Sequence, residues 1–259
     1  MSTYWKDRDA EALAKITERS VKETEALLAK SYRNSAKKVI EEFEATYEKL
    51  LNTIEDGKNP TPADLYKLDK YWKMNGKLNS ELRALGEAQE RILSRQFLKE
   101  FAEIYESISF NDINLFSIIS EEGMVQAINS IWCADGLTWS NRIWNNIENL
   151  TETLQEELVH SVITGKSTSG LKKLLQERFE VSFSQADSLV RTEMAHIQTS
   201  AAQQRYKDYG IQWVQVWADK DERRCEVCGK LHETKHPING TMPIPAHPRC
   251  RCTIIPVVE

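Results

Sequence analysis

The chain of 259 residues has no apolar run longer than a few residues. A membrane-spanning helix needs ~20, so no such segment is expected. The opening residues, MSTYWKDRDAEALAK, lack a basic stretch followed by an apolar one. The reading therefore expects no secretory signal and a chain kept in the cytosol with reduced thiols. Neither Gly nor Pro interrupts residues 7–55, which keeps the two strongest helix breakers out of that whole stretch. There is no Gly-x-Ser-x-Gly elbow, so the serine-hydrolase motif is missing. His232-Glu233-Thr234-Lys235-His236 has the His-Glu-x-x-His spacing, but it falls in the loop between the cysteine knuckles and not on the helix a zincin protease needs. No Asp-His or Asn-His pair occurs either, which counts against a nuclease of the His-Asn-His type.

What is present divides along the chain. The net charge is −5. Residues 1–160 carry 20 Lys and Arg against 28 Asp and Glu, and residues 161–259 carry 14 against 11. An acidic body and a faintly basic C-terminal part follow, without the concentrated charge that would draw in duplex DNA. Tyr32, Ala36, Val39, Phe43, Tyr47, Leu50 and Ile54 recur in steps of three and four, predicting a helix from Asp7 to about Glu55. A second helical pattern starts at Thr61–Pro62, with Asp64 in its first turn, and reaches about Ile108. Gly76 and Gly86 weaken it, and one of them is expected to mark a break or a close helix contact. A third pattern runs from Ser120 to Ile163 and is interrupted near CADGLT.

After TGKSTSG the sequence predicts two helices. The first is Leu171–Phe179, and the second is capped by Ser184 with Asp187 three residues on and ends at Gly210. GKST is not read as a phosphate loop. His160 stands where the first glycine is required, and a helix-to-helix turn accounts for the residues. The short Ser-Thr-Ser run, a feature of some ADP-ribosyltransferases, is set aside because no strand with a catalytic glutamate follows. The period then changes to two in IQWVQVWA. Trp213, Gln215 and Trp217 are expected on one face of a strand, with Val214 and Val216 on the other. TIIPVV is a second strand candidate, with Pro256 suiting an edge.

Four of the five cysteines lie in CEVCGK and HPRCRC; Cys133 stands alone and reads as a small buried hydrophobe. The spacing is Cys225-x2-Cys228, then His247-x2-Cys250-x-Cys252, and His232 and His236 fall between. Two short knuckles of Cys and His can surround a zinc ion tetrahedrally. Residues 219–252 are rich in charge, Pro and Gly and poor in large apolar side chains, so the segment needs an outside tether. A structural zinc supplies ~10–16 kcal/mol in finger peptides and a disulfide about 2–4 kcal/mol. Zinc, a disulfide and free thiols ordered by docking onto the helical body all remain open from spacing alone.

The order of these features resembles the phage head morphogenesis family, the Mu F-like minor capsid proteins. LVRTE lies on a helix, a Trp-bearing strand follows, and DERRCEVC then leads to PIPAHPRCRC. The matching positions are Arg191, Thr192, Glu193, Trp217, Asp221, Cys225, Cys228, His247, Pro248, Cys250, Arg251 and Cys252, within roughly residues 167–256. Arg224 stands where the family usually has Thr, and Ile244 replaces the first of two nearly adjacent prolines. TWSNRIW at 138–144 is a weaker echo of what often lies upstream.

The fold expected is mainly α, with long N-terminal helices over residues 1–165. A small C-terminal α+β module over residues 166–259 is expected to carry a short sheet and a Cys/His-rich zinc-type loop. The resemblance implies a non-enzymatic minor head protein in the virion, at the capsid interior or portal vertex, after assembly in the host cytoplasm. Its implied partners are the portal protein, the major capsid or scaffolding protein and phage DNA, with no membrane. Roles in procapsid assembly, packaging and ejection follow from the same likeness. Zinc is the expected structural cofactor, with Cys225, Cys228, His247, Cys250 and Cys252 as candidate ligands. Arg191 and Glu193, two apart on a helix, do not share a face; Arg191 is expected to pair with a carboxylate of the module, Asp221. The competing readings are a zinc-stabilised DNA-binding module and a metal-dependent nuclease or toxin-like enzyme.

Overall fold

A computed structural model describes residues 3–52, 60–109, 119–218 and 224–258. In chain order the elements are α1 (Thr3–Leu51), α2 (Pro62–Tyr66), α3 (Asp69–Ser107), α4 (Glu121–Ile128), α5 (Trp139–Ile163) and α6 (Thr168–Asp208). They continue with β1 (Trp213–Trp217), α7 (Glu226–Leu231), β2 (Lys235–Pro237) and β3 (Thr253–Pro256). The protein is mainly α, with a small antiparallel sheet of order β2-β1-β3 near its C-terminus. Among the described residues no helix is long and apolar enough to cross a membrane. Compactness divides the chain into two units. One comprises residues 1–25, 93–139 and 187–259, and the other residues 26–92 and 140–186.

The second unit joins segments of α1, α3, α5 and α6. Its apolar stripe includes Tyr32, Val39, Phe43 and Tyr47 of α1, all nearly inaccessible, as the three-and-four spacing requires. One hydroxyl draws the four helices together. Tyr32 Oη lies 3.4 Å from Gln89 Oε1 on α3, 3.2 Å from Asn146 Nδ2 on α5 and 3.2 Å from Ser182 Oγ on α6. Burial of this hydroxyl requires such partners, and burial also pushes the Tyr32 phenol up from its ordinary value. Tyr47 Oη lies 2.7 Å from the Ser161 carbonyl and 2.9 Å from the Lys166 carbonyl, pinning the α5–α6 connection. GKST is that connection. Gly165 takes φ +64°, which suits a helix stop, and Ser167 Oγ accepts from the Gly170 N–H at 3.2 Å, capping α6.

Two boundaries differ from the sequence reading. The second helical pattern is broken early: α2 ends at Tyr66 and α3 starts at Asp69. Its start is as expected, with the Asp64 carboxylate accepting from the Thr61 N–H at 3.1 Å. The region expected as two helices, Leu171–Phe179 and one capped at Ser184, is a single helix of 41 residues, α6. VSFSQAD holds polar residues that suit caps but no Gly or Pro. Here Ser182 spends its hydroxyl on Tyr32 and Asn146 rather than on a helix end.

The first unit carries the sheet. β1 pairs with β2 from Trp213–Pro237 to Gln215–Lys235, and with β3 from Val214–Pro256 to Trp217–Thr253. Pro256 is therefore on an edge strand, where a missing N–H costs no ladder bond. The expected alternation does not leave one face wet, since Val214, Gln215, Val216 and Trp217 are all buried. The start of α1 covers one face. Ala10 packs with Trp217 and Ile255, Trp217 Nε1 donates to Asp7 Oδ1 at 3.0 Å and Lys6 Nζ donates to Gln215 Oε1 at 2.9 Å. From α6, Gln203 Nε2 donates to the Ile238 and Gly240 carbonyls at 2.6 and 3.0 Å.

The two weakening glycines of α3 have opposite settings. A Cβ at Gly86 would stand 2.7 Å from Trp144 Cζ3, whereas one at Gly76 would meet nothing within 4 Å. Gly86 is thus the close helix contact. Gly76→Ala is expected to stabilise the protein by about 1 kcal/mol, and Gly86→Ala to destabilise it by about 1–3 kcal/mol through overpacking. Urea unfolding of both variants checks the pair; equal shifts of the same sign would contradict the packing described.

Candidate metal centre

The Cys-x2-Cys knuckle is built by the start of α7. Cys225 is its N-cap, with extended backbone, and its Sγ accepts from the Cys228 N–H at 3.3 Å. That contact holds the Cys225 thiol below its ordinary value. The second knuckle is a turn. Arg249 takes φ +61°, and the Cys250 N–H donates to the His247 carbonyl at 3.2 Å.

All five expected residues are brought together. Cys225, Cys228 and His247 form one group whose ligand atoms lie within 4.8 Å of each other; Cys228, Cys250 and Cys252 form another. Cys228 belongs to both. His247 Nε2 lies 3.3 Å from Cys225 Sγ and 3.1 Å from Cys228 Sγ, and Cys228 and Cys250 sulfurs are 3.8 Å apart. Donors arranged tetrahedrally at about 2.3 Å from one zinc stand about 3.8 Å from each other. A disulfide needs about 2.05 Å between sulfurs, and all five cysteines are free thiols. His232 and His236 stay outside the group. His232 Nδ1 accepts from the Ala218 N–H at 3.2 Å and its ring meets Trp217 edge-on, while His236 Nε2 lies 2.9 Å from Thr234 Oγ1.

The electrostatics suit a cation. His247 Nδ1 lies 2.8 Å from the Pro248 carbonyl. A proton on that nitrogen donates to the carbonyl and leaves the Nε2 lone pair facing the sulfurs, the usual outer support of a ligating imidazole. The same hydrogen bond is the main cause that raises His247 above its ordinary value. The thiols pull apart. Cys250 is lowered to about 5, chiefly by a hydrogen bond from Cys252. Cys228 is pushed up to about 12, chiefly by burial, and Cys252 is pushed up strongly through its contact with Cys250. Unassisted, the pocket favours negative charge on some sulfurs and opposes it on others. A dication removes that conflict, because coordinated thiols deprotonate. The cluster can therefore hold a metal.

Arg191 and Glu193 diverge, as their spacing requires. Glu193 is buried and accepts from Trp132 Nε1 at 3.0 Å. Arg191 pairs with the Glu25 carboxylate of α1 and lies 3.4 Å from Asp187, one helical turn away. The expected partner Asp221 lies outside the described residues. Sequence reasoning missed Asp187, Glu25 and Arg249 as a group. Asp187, expected as part of a cap, is mid-helix and accepts from the Arg249 guanidinium at 2.8 Å. The i, i+4 spacing of Asp187 and Arg191 was the only signal for it.

The site is a pair of Cys/His knuckles beside a small sheet, with a long helix against the second knuckle. Residues 152–255 match the family described as Phage Mu protein F like protein. The match starts within α5, ends in β3 and includes all five candidate ligands. No curated protein and no solved structure matches the chain.

Glu25 has a consequence for pH. Burial, then a hydrogen bond with the Asp187 carboxylate, raise it from 4.5 to about 7 against the pull of Arg191 and Arg249. The folded protein holds this proton more tightly than the unfolded chain, so Glu25 favours folding at low pH. That contribution is lost as pH rises from about 4.5 through about 7. Glu25→Gln should therefore flatten the fall in urea midpoint between about pH 5 and about pH 7.5. A variant with the wild-type slope would show that Glu25 is not the group responsible.

Proposed function

We propose that the protein is a minor head component of a tailed phage, non-enzymatic, that assembles in the host cytoplasm and remains in the virion. The family match over 152–255 is the observation that carries this reading. Its partner is the portal protein, at the capsid interior or portal vertex, with the major capsid or scaffolding protein and phage DNA as further contacts during assembly, packaging and ejection. The charged outer faces of the long helices, with i, i+4 pairs such as Glu11–Lys15 and Glu18–Lys22, suit a part that stays soluble until it docks.

In this reading the cluster holds zinc through Cys225, Cys228, His247 and Cys250, and zinc fixes the shape of the C-terminal module. Cys252, grouped with Cys228 and Cys250, is then the spare donor. Thiolate and imidazole donors favour zinc over hard cations, and four such donors close the coordination sphere. A hydrolytic zinc keeps one position open for water, which weighs against the nuclease reading. The DNA-binding alternative is weakened by Arg249, whose guanidinium is already paired with Asp187.

Co-expression with the portal protein of the same phage should yield a complex on size-exclusion chromatography; repeated separation of the two would remove the portal assignment. Metal analysis of the purified protein should find one zinc per chain, lost in Cys228→Ser and retained with weaker affinity in Cys252→Ala. Equal zinc in wild type and Cys228→Ser would refute the ligand set.

A further inference from the structure

The turn that carries His247 and Cys250 has a backbone bond of its own, from the Cys250 N–H to the His247 carbonyl, and is also held from outside. Between them stands Arg249, and both ends of this residue are gripped by α6. Its backbone N–H donates to Thr192 Oγ1 at 3.1 Å, and its guanidinium donates to Asp187 Oδ2 at 2.8 Å. The left-handed backbone of Arg249, φ +61°, is uncommon for a residue with a side chain, and the grip of α6 holds it in place. Asp187 and Arg191, one turn apart, share a face of α6, and Thr192 lies about 140° round the helix from Asp187, so the long Arg249 side chain and its backbone reach two different places on α6. Arg191 bridges Asp187 to Glu25 of α1, which ties the outer carboxylate in turn. The Asp187 side chain is 17% exposed and that of Arg249 49%, so solvent screens one end of the pair and not the other.

We infer that Asp187 and Thr192 of α6 are the positioning residues of the metal centre: they clamp Arg249 and so fix His247 and Cys250 in ligating geometry. This rests on the reading of the cluster as a metal site and extends it to residues that ligate nothing. Outer partners of this kind set metal retention, because a ligand free to move leaves more often; losing one typically costs 10–100-fold in affinity. The clamp acts on the second knuckle alone. Cys225 and Cys228 are held by α7, so without the clamp two ligands stay in place and two loosen.

The test uses the full chain loaded with zinc, or with cobalt(II) as a coloured substitute, and follows transfer of the metal to a chelator. Asp187→Asn and Thr192→Val should each release metal at least about 10-fold faster than wild type. The cobalt thiolate absorption should keep its position, since the ligands are unchanged. Thr192→Ser, which keeps the hydroxyl, should restore the wild-type rate. Arg178→Gln, which breaks the comparable pair with Glu157 in the other unit, should leave the rate unchanged and controls for a general loss of stability. Wild-type release rates in both Asp187→Asn and Thr192→Val would overturn the clamp while leaving the metal site standing. So would release in Arg178→Gln as fast as in those two variants. A wild-type chain that binds neither zinc nor cobalt would overturn the metal reading and the clamp with it.

Discussion

A segment with few large apolar side chains keeps a fold only if something else restrains it, and the C-terminal module depends on that constraint. Between Arg224 and Val258 the buried residues are Cys228, Ile238, Ile244, Cys250, Cys252, Thr253, Ile254, Ile255 and Pro256. Three are cysteines whose sulfurs meet, and the isoleucines of β3 belong to the sheet rather than to the loop. Hydrophobic burial at about 25 cal/mol per Å² has little area to act on between β2 and β3. The loop is therefore shaped from its two ends and from beneath: the sulfur and imidazole cluster closes it, and α6 holds it from the other side.

The helical part solves its problem by another route. Residues such as Phe43, Phe97, Phe101 and Leu154 are wholly inaccessible, so apolar area is ample there and selectivity is what has to be added. Oil-like stripes on long helices can slide by a turn at modest cost. A polar group that finds partners in one register only makes sliding expensive, because a buried hydroxyl or amide left unpaired loses about 1–3 kcal/mol. The group formed by Tyr32, Gln89, Asn146 and Ser182 has this property, with one member from each of the four helices. Gly86 adds a second restriction, since only a residue without a Cβ admits the Trp144 ring so closely.

Most of this architecture was legible in the residues where one period dominated. The steps of three and four from Tyr32 to Leu50 gave a helix, the alternation in IQWVQVW gave β1, and TIIP gave β3. Reading failed where one residue type has two uses. Ser184 and Asp187 look like helix-start residues, and Asp187 instead pairs with Arg249 of the second knuckle. β2 was invisible because Lys235–Pro237 has only three residues and no apolar pattern. The five ligands could be named from spacing because cysteine and histidine knuckles are local. The clamp could not be. Glu25 is separated from Asp187 by most of the chain, and the bond from Arg249 to Thr192 depends on a left-handed turn that a non-glycine sequence does not announce. The LVRTE motif was noticed by likeness, and its threonine acquires a physical role only when Arg249 is seen against it.

The make-up of the cluster bears on reading it as structural. A catalytic metal site exposes one position and surrounds it with groups able to move a proton. Here five soft donors converge and no carboxylate joins them among the described residues. The nearest acidic group of the network, Asp187, is turned to the guanidinium of Arg249 and not to the sulfurs. Charge beside the turn is paired, Glu25 with Arg191 and Asp187 with Arg249. Paired in this way, the second knuckle is restrained from α6 as well as from the sulfur and imidazole cluster.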